Sequence, residues 1–262
     1  MGTVVAVEEI GRGAPLVLIH GLATTRRIWA TVAPELARTR RVVMLDVPGF
    51  GESPPAGAGF ELEAVAARIA GVLGDQAPFD LVGHSLGGGL ALTLAARHPE
   101  SVERLVLVAP AGLTALPSAA STLLAAISEP LLAARRRLVG LSQSPRGRRL
   151  LLGLAVADAA ELSPAQARLI IEASATARRA SAALATITRA ELRPLLADVR
   201  APLGLIWGTA DRTVPARSAE LVRAARPDVE LVLVPQAGHL PMIERPEVFR
   251  DAVEDLLRRL PT

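Results

Sequence analysis

The sequence predicts an α/β chain: a doubly wound, mostly parallel sheet interrupted by one all-helical segment inserted after a strand that ends near Ala109. Three observations carry this expectation. Short continuous apolar runs alternate with helical spacing through residues 1–112. The alternation stops over 113–198, where no strand pattern occurs, and it resumes over 199–262. A short unbroken apolar run suits a strand buried on both faces, and strand–helix alternation brings crossover connections and parallel pairing. The expected organisation is therefore a core built from 1–112 and 199–262, capped by a helical insertion over 113–198.

The elements follow in order. Residues 4–7 form a short strand candidate, and 16–19 read Leu-Val-Leu-Ile, a buried strand. A helix is expected over 28–36, the next buried strand over 42–45, and a helix over 61–73 with apolar residues at Leu62, Val65, Ala66, Ile69 and Leu73. The run 79–82 and the apolar stretch 90–96 predict a strand and then a helix, with the next strand at 105–108. In the middle segment, helical spacing appears over 123–138, 148–157, 164–177 and 180–192, punctuated by Pro130, Pro145, Pro164 and Pro194. Strands are expected again at 203–206 and 231–234, and an amphipathic helix closes the chain over 248–260.

Composition narrows the function. Of the 262 residues, 50% are hydrophobic and 21% charged, which gives a globular chain with a sizeable core. No apolar run reaches the length that spans a bilayer, so no membrane span is expected. No basic stretch followed by an apolar block opens the chain, so the expected location is cytoplasmic. There is no cysteine, which excludes disulfides, thiol catalysis and thiolate metal sites. Lysine, asparagine and tyrosine are also absent, so every basic side chain besides histidine is arginine. The net charge is only +3 and aromatics are 2% of the chain, so no nucleic-acid partner is expected. Neither a metal nor a cofactor is called for, and the oligomeric state is left open.

The motif that carries chemistry is Gly83-His84-Ser85-Leu86-Gly87. It follows a strand candidate and opens a helix. A serine on such a turn has its hydroxyl held out from the sheet, beside helix N–H groups free to bind an anion. Serine is a weak nucleophile near neutrality and needs a base. The chain has four histidines. His84 adjoins Ser85, with its side chain expected to point elsewhere. His98 reads as a helix cap, and His20 as a loop-shaping residue after the 16–19 strand. His239 follows the last strand, in a loop at the carboxyl end of the sheet where ligand sites form. The base in turn needs a carboxylate. Asp211 lies after the 203–206 strand at that same end, whereas Asp198 lies at the wrong end and no acid follows Ala109-Pro110. The candidate catalytic set is Ser85, Asp211 and His239. The oxyanion needs two donors, and the backbone N–H groups of Leu86 and Leu22 are the candidates. Trp29, Val214, Leu240 and Met242 flank these loops and are candidate substrate-pocket residues, as are Leu22 and Leu86.

At this point the chain resembles the α/β-hydrolase superfamily along nearly its whole length. The matching pieces are His20-Gly21, Asp46-Val47-Pro48-Gly49-Phe50-Gly51-Glu52-Ser53, Gly83-His84-Ser85-Leu86-Gly87-Gly88, Gly208-Thr209-Ala210-Asp211 with Val214-Pro215, and Gly238-His239 with Glu244-Arg245-Pro246. It is similar to small esterases, lipase-like enzymes and cofactor-free perhydrolases. The resemblance implies a nucleophile at Ser85, an acid at Asp211, a base at His239, a cap over about 113–198, and a structural role for the Asp46 to Ser53 segment. Family members often carry an extra hairpin before the His-Gly strand; so few residues precede Leu16 here that an edge strand is expected to be missing or short. Aspartate-nucleophile branches do not fit Ser85, and hydroxynitrile-lyase-like members rely on a lysine that this chain lacks. The expected activity is carboxylesterase-type: a serine hydrolase cleaving small, mainly apolar esters through an acyl-enzyme. The alternatives are a carbon–carbon bond hydrolase, a lactonase or a perhydrolase on the same triad, and, outside enzymes, a receptor-like hydrolase fold that binds ligand without turnover.

Overall fold

The computed structural model describes residues 5–261. Its strands are β1 (Val7–Ile10), β2 (Pro15–Ile19), β3 (Arg41–Leu45), β4 (Phe79–His84), β5 (Val102–Val108), β6 (Leu203–Gly208) and β7 (Glu230–Val234). Among the described residues they form one seven-stranded sheet in the order β1-β3-β2-β4-β5-β6-β7. Only β1 runs antiparallel, pairing Val7 with Leu45 and Ile10 with Val42. The others are parallel, with Val17 opposite Val43 and Leu18 opposite Val82. The first strand lies at Val7–Ile10 rather than 4–7; Val4 is outside the described residues. Its position is set by pairing with β3 and by the turn that follows, where Gly11 has φ 79°. Among the described residues, one short edge strand precedes β2.

The helices are α1 (Ala33–Leu36), α2 (Leu62–Leu73), α3 (Leu86–Arg97), α4 (Ser118–Arg137), α5 (Pro145–Leu152), α6 (Pro164–Ala173), α7 (Ala180–Arg189), α8 (Ala219–Ala225), α9 (Pro241–Glu244) and α10 (Pro246–Arg259). Several differ from the sequence expectation for identifiable reasons. The 28–36 helix is instead a tight turn, Arg26–Trp29, followed by the single turn of α1. Pro34 has no N–H to continue a helix and starts one instead. The 148–157 helix stops at Leu152, before Gly153, and α6 gives way to a tight turn at Ser174. The 123–138 helix begins five residues earlier, at Ser118, behind Pro117. Helix α8 carries no strong sequence signal and was not expected. No described helix is long and apolar enough to cross a membrane.

Side chains alternate across each strand, so every central strand feeds two cores. Val17, Ile19, Val43, Leu81, Leu105 and Leu107 pack on one face with α2 and α3. Leu16, Leu18, Val42, Val82, Val106 and Val108 pack on the other with α10 and the Arg26–Trp29 turn. The segment between β5 and β6 is helical and joins both layers: Ala183 and Ile187 of α7 enter the first core, Ile170 and Ile171 of α6 the second. At the amino end of the strands a buried Asp80 accepts from Arg104 Nε at 2.7 Å and also pairs with Arg40, which satisfies a charge the sheet would otherwise strand in an apolar layer. The loops that follow β6 and β7 bond to the helical insertion, Thr213 Oγ1 to Leu154 O and His239 N to Ala155 O, each at 3.0 Å.

Candidate active site

Ser85 sits between β4 and α3 with φ 54° and ψ −116°, a conformation that costs a non-glycine residue about 1–3 kcal/mol. The surroundings enforce it. Its N–H donates to Val108 O at 2.9 Å, and its carbonyl accepts from Gly89 N at 3.1 Å and Ala111 N at 3.0 Å. The two glycines of the motif permit the crossing. A Cβ on Gly83 would lie 2.4 Å from Gly87 O, and one on Gly87 would lie 2.4 Å from the carbonyl oxygens of both Ile19 and His20. Strand, turn, helix and the loop after β2 are therefore packed backbone to backbone. Ser85 is 7% exposed, and its hydroxyl carries no hydrogen bond among the described residues.

Asp211 follows β6, and its carboxylate is fixed from both sides. Oδ1 accepts from Thr213 N at 2.8 Å and Val214 N at 2.9 Å, and Oδ2 faces His239 Nδ1 at 2.7 Å. The carboxylate can only accept, so Nδ1 carries the proton and Nε2 is left with its lone pair, the tautomer a general base needs. The His239 N–H donates to Ala155 O at 3.0 Å, which ties the loop after β7 to the helical insertion.

Two further residues hold His239, and the sequence reading gave neither a role there. His84, which was expected to point elsewhere, packs its ring against that of His239 with centroids 4.7 Å apart. Its Nε2 donates to His239 O at 2.7 Å, so its buried Nδ1 is unprotonated, and that atom has no hydrogen-bond partner among the described residues. Burial, reinforced by the neighbouring His239, pushes the His84 pKa well below the ordinary imidazole range. Glu244 accepts from Ala157 N at 2.7 Å, Gly238 N at 2.9 Å and Leu240 N at 3.1 Å, clamping both sides of His239 to the insertion. Burial raises its pKa against the pull of those three N–H donors. The signal for Glu244 was its position five residues after His239; the signal for His84 was adjacency alone, which gives no direction.

Residues 14–246 match the α/β hydrolase fold family. The chain belongs to the α/β-hydrolase family. Pimeloyl-[acyl-carrier protein] methyl ester esterase of Aeromonas hydrophila is 30% identical over 257 residues, covering 95% of this chain and 98% of that protein. The 2-hydroxymuconate semialdehyde hydrolase of Pseudomonas sp. CF600 is 46% identical over 116 residues, 41% of this chain and 40% of that one. Among solved structures, a thermophilic esterase from Thermogutta terrifontis superposes with a TM-score of 0.79 at 26% identity, covering 98% of this chain and 94% of that one.

In this α/β hydrolase the loop after β2 is shaped by His20. Val47 N donates to His20 Nε2 at 2.9 Å, which fixes the proton on Nδ1, where it reaches Gly21 O at 2.8 Å. Burial lowers the His20 pKa to about 4. The N–H groups of Leu22 in this loop and of Leu86 at the first position of α3 carry no hydrogen bond among the described residues. Asp46 braces the neighbouring segment: Arg26 N donates to it at 2.8 Å, Glu52 N at 2.9 Å, and the Arg26 guanidinium pairs with it. A Cβ on Gly51 would lie 2.2 Å from Asp46 Oδ2, so this stretch is built around that carboxylate.

The pocket residues expected from the sequence are placed differently. Trp29 is fully buried and stacks on Phe249 of α10 at 6.1 Å, and Leu240 and Met242 lie in the same core layer. They face the core because their loops fold back onto the sheet. Val214 is half-buried; its carbonyl accepts from Trp207 Nε1 at 2.7 Å, and its N–H holds Asp211. A groove of about 870 Å³ lies instead inside the insertion between α4, α5 and residues 153–159, with Arg212 on its wall. No cluster of three or more metal-ligating side chains occurs among the described residues.

Proposed function

We propose that this α/β hydrolase is a serine hydrolase of carboxylic esters, with Ser85 as nucleophile, His239 as general base and Asp211 as the carboxylate that orients it. The observation that carries the reading is the 2.7 Å Asp211–His239 pair on the same rim of the sheet as the strained Ser85 turn. Ser85 Oγ attacks the ester carbonyl as His239 Nε2 takes its proton. The tetrahedral oxyanion is met by the N–H groups of Leu22 and Leu86. Collapse expels the alcohol, which receives the proton from His239. Water, deprotonated by the same imidazole, then attacks the acyl-enzyme and releases the acid. Asp211 stabilises the imidazolium at each proton transfer without taking the proton. Segment 113–198 acts as a cap over this rim.

The similarity to a methyl ester esterase along almost the whole of both chains supports ester cleavage. The test is steady-state hydrolysis of p-nitrophenyl esters from acetate to dodecanoate by wild type and Ser85→Ala. Wild type should turn over at least one ester, and the variant should lose roughly 10⁴-fold or more in kcat. No wild-type turnover across the panel overturns the reading. A second reading, carbon–carbon bond hydrolysis on the same triad, draws on the 46% identity to a 2-hydroxymuconate semialdehyde hydrolase. Turnover of that semialdehyde in preference to every ester would favour it.

A further inference from the structure

We infer that the groove in the helical insertion binds the apolar tail of a single-chain ester whose far end carries an anionic group, with Arg135 as the anion's partner. The inference rests on the ester-hydrolase reading for the reacting end and on independent observations for the tail. Leu131, Leu150 and Leu154 line the groove and are 62%, 73% and 78% exposed, an unusual concentration of uncovered leucine on one surface. The groove's volume, about 870 Å³, is that of a small-molecule site.

Charge selects the occupant further. Arg135, Arg149 and Arg212 line the groove against a single carboxylate, Asp158. Asp158 is already taken by Arg149 at 3.2 Å, and Arg212 donates to Gly153 O at 3.1 Å. Arg135 Nε is buried and has no hydrogen-bond partner among the described residues. Burial and the neighbouring Arg136 lower the Arg135 pKa, the condition an incoming anion would relieve. An apolar wall ending in an unanswered guanidinium fits a long chain with a terminal carboxylate or phosphate better than a neutral one.

The groove is also joined to the catalytic loops. Gly153, Leu154, Ala155 and Ala157 line it, and four hydrogen bonds attach them to the Asp211 and His239 loops: Arg212 to Gly153 O, Thr213 Oγ1 to Leu154 O at 3.0 Å, His239 N to Ala155 O, and Ala157 N to Glu244. A tail seated there lies against backbone that is hydrogen-bonded to the loop carrying His239.

The experiment compares wild type, Leu154→Glu and Arg135→Gln on three substrates: p-nitrophenyl acetate, p-nitrophenyl dodecanoate and the mono-p-nitrophenyl ester of dodecanedioic acid. Within each protein the readout is the kcat/KM ratio of long to short ester and of carboxylate-ended to neutral long ester. Leu154→Glu should lower the first ratio about 10-fold or more. Arg135→Gln should lower the second by about 3- to 5-fold and leave the first near its wild-type value. Calorimetric titration with dodecanoate, below its micelle-forming concentration, separates the two readings. If no ester is turned over, the ester-hydrolase reading fails, yet dodecanoate binding that weakens in Leu154→Glu still supports the groove. Ratios and dodecanoate affinity unchanged in both variants overturn the inference. So does light scattering that shows a wild-type dimer converted to monomer by Leu154→Glu, since the leucines would then be covered by a second copy. Leu150→Gln serves as the second groove variant should Leu154→Glu aggregate.

Discussion

Along the rim of the sheet, Ser85, Asp211 and His239 are nearly buried, and the loops that carry them are tied by hydrogen bonds and backbone contact. In the insertion, α4, α5 and the residues after α5 leave Leu123, Leu131, Leu150 and Leu154 largely in solvent. The rim is held in one arrangement by its carboxylates, each of which is answered: Asp211 by Thr213, Val214 and His239, and Glu244 by three N–H groups. The insertion instead carries apolar area and a guanidinium without partners. The contrast assigns different tasks to the two regions. On the proposed reading, chemistry is positioned by the rim, whose geometry cannot drift without breaking buried contacts. On the same reading, choice of substrate falls to the insertion, whose exposed leucines and unpaired Arg135 a bound tail would cover.

The contrast breaks most sharply at Asp211. Asp211→Asn should keep the fold but favour the wrong His239 tautomer, lowering kcat for a p-nitrophenyl ester by roughly 10⁴-fold, measured under saturating substrate. Acid is the next probe. His20 is held neutral in the folded protein with its pKa lowered to about 4, against 6.5 when unfolded. Below pH 6.5 the unfolded chain therefore takes up a proton that the folded one refuses. Stability is lost as pH falls from 6.5 toward 4, by about 3 kcal/mol from this group. His84 adds to the loss in the same direction. Guanidinium unfolding across that range should show a steeper fall in wild type than in His20→Gln; equal slopes would mean that burial of His20 does not set its titration.

Gly87→Ala tests the backbone crossing. Its Cβ would meet two carbonyl oxygens at 2.4 Å, and neither can move without shifting β2, so about 2–3 kcal/mol of stability should be lost in denaturant unfolding. The smallest effect is expected on the insertion. Leu150→Ser, at a side chain already in water, should change stability by no more than about 0.5 kcal/mol. A large loss there would show that these leucines are covered and that the two regions are not built as described.

The sheet was legible because unbroken apolar runs such as Leu16 to Ile19 have few other uses, and because glycines mark the turn around Ser85. Asp211 and His239 could be chosen by position alone, since loops after parallel strands converge at one end of the sheet. Other features depend on how distant segments meet. Nothing in the sequence distinguishes a leucine facing a pocket from one facing the core, so Trp29, Leu240 and Met242 were expected at a pocket and pack in the core with Phe249 of α10. His84 carries no mark of which way its ring turns, and Glu244 acts through backbone N–H groups, one of them 87 residues away in sequence at Ala157. Helix ends were missed where a proline or glycine outweighed periodicity, as at Pro34 and Gly153.

The central claim is that Ser85 is a nucleophile activated by His239. A fluorophosphonate probe tests it directly, by intact mass and peptide mapping of wild type, Ser85→Ala and His239→Ala. Expected are one adduct per chain on the peptide containing Ser85, none in Ser85→Ala, and labelling slowed by orders of magnitude in His239→Ala. An adduct on another residue, or labelling of Ser85 that is as fast without His239 as with it, would contradict it.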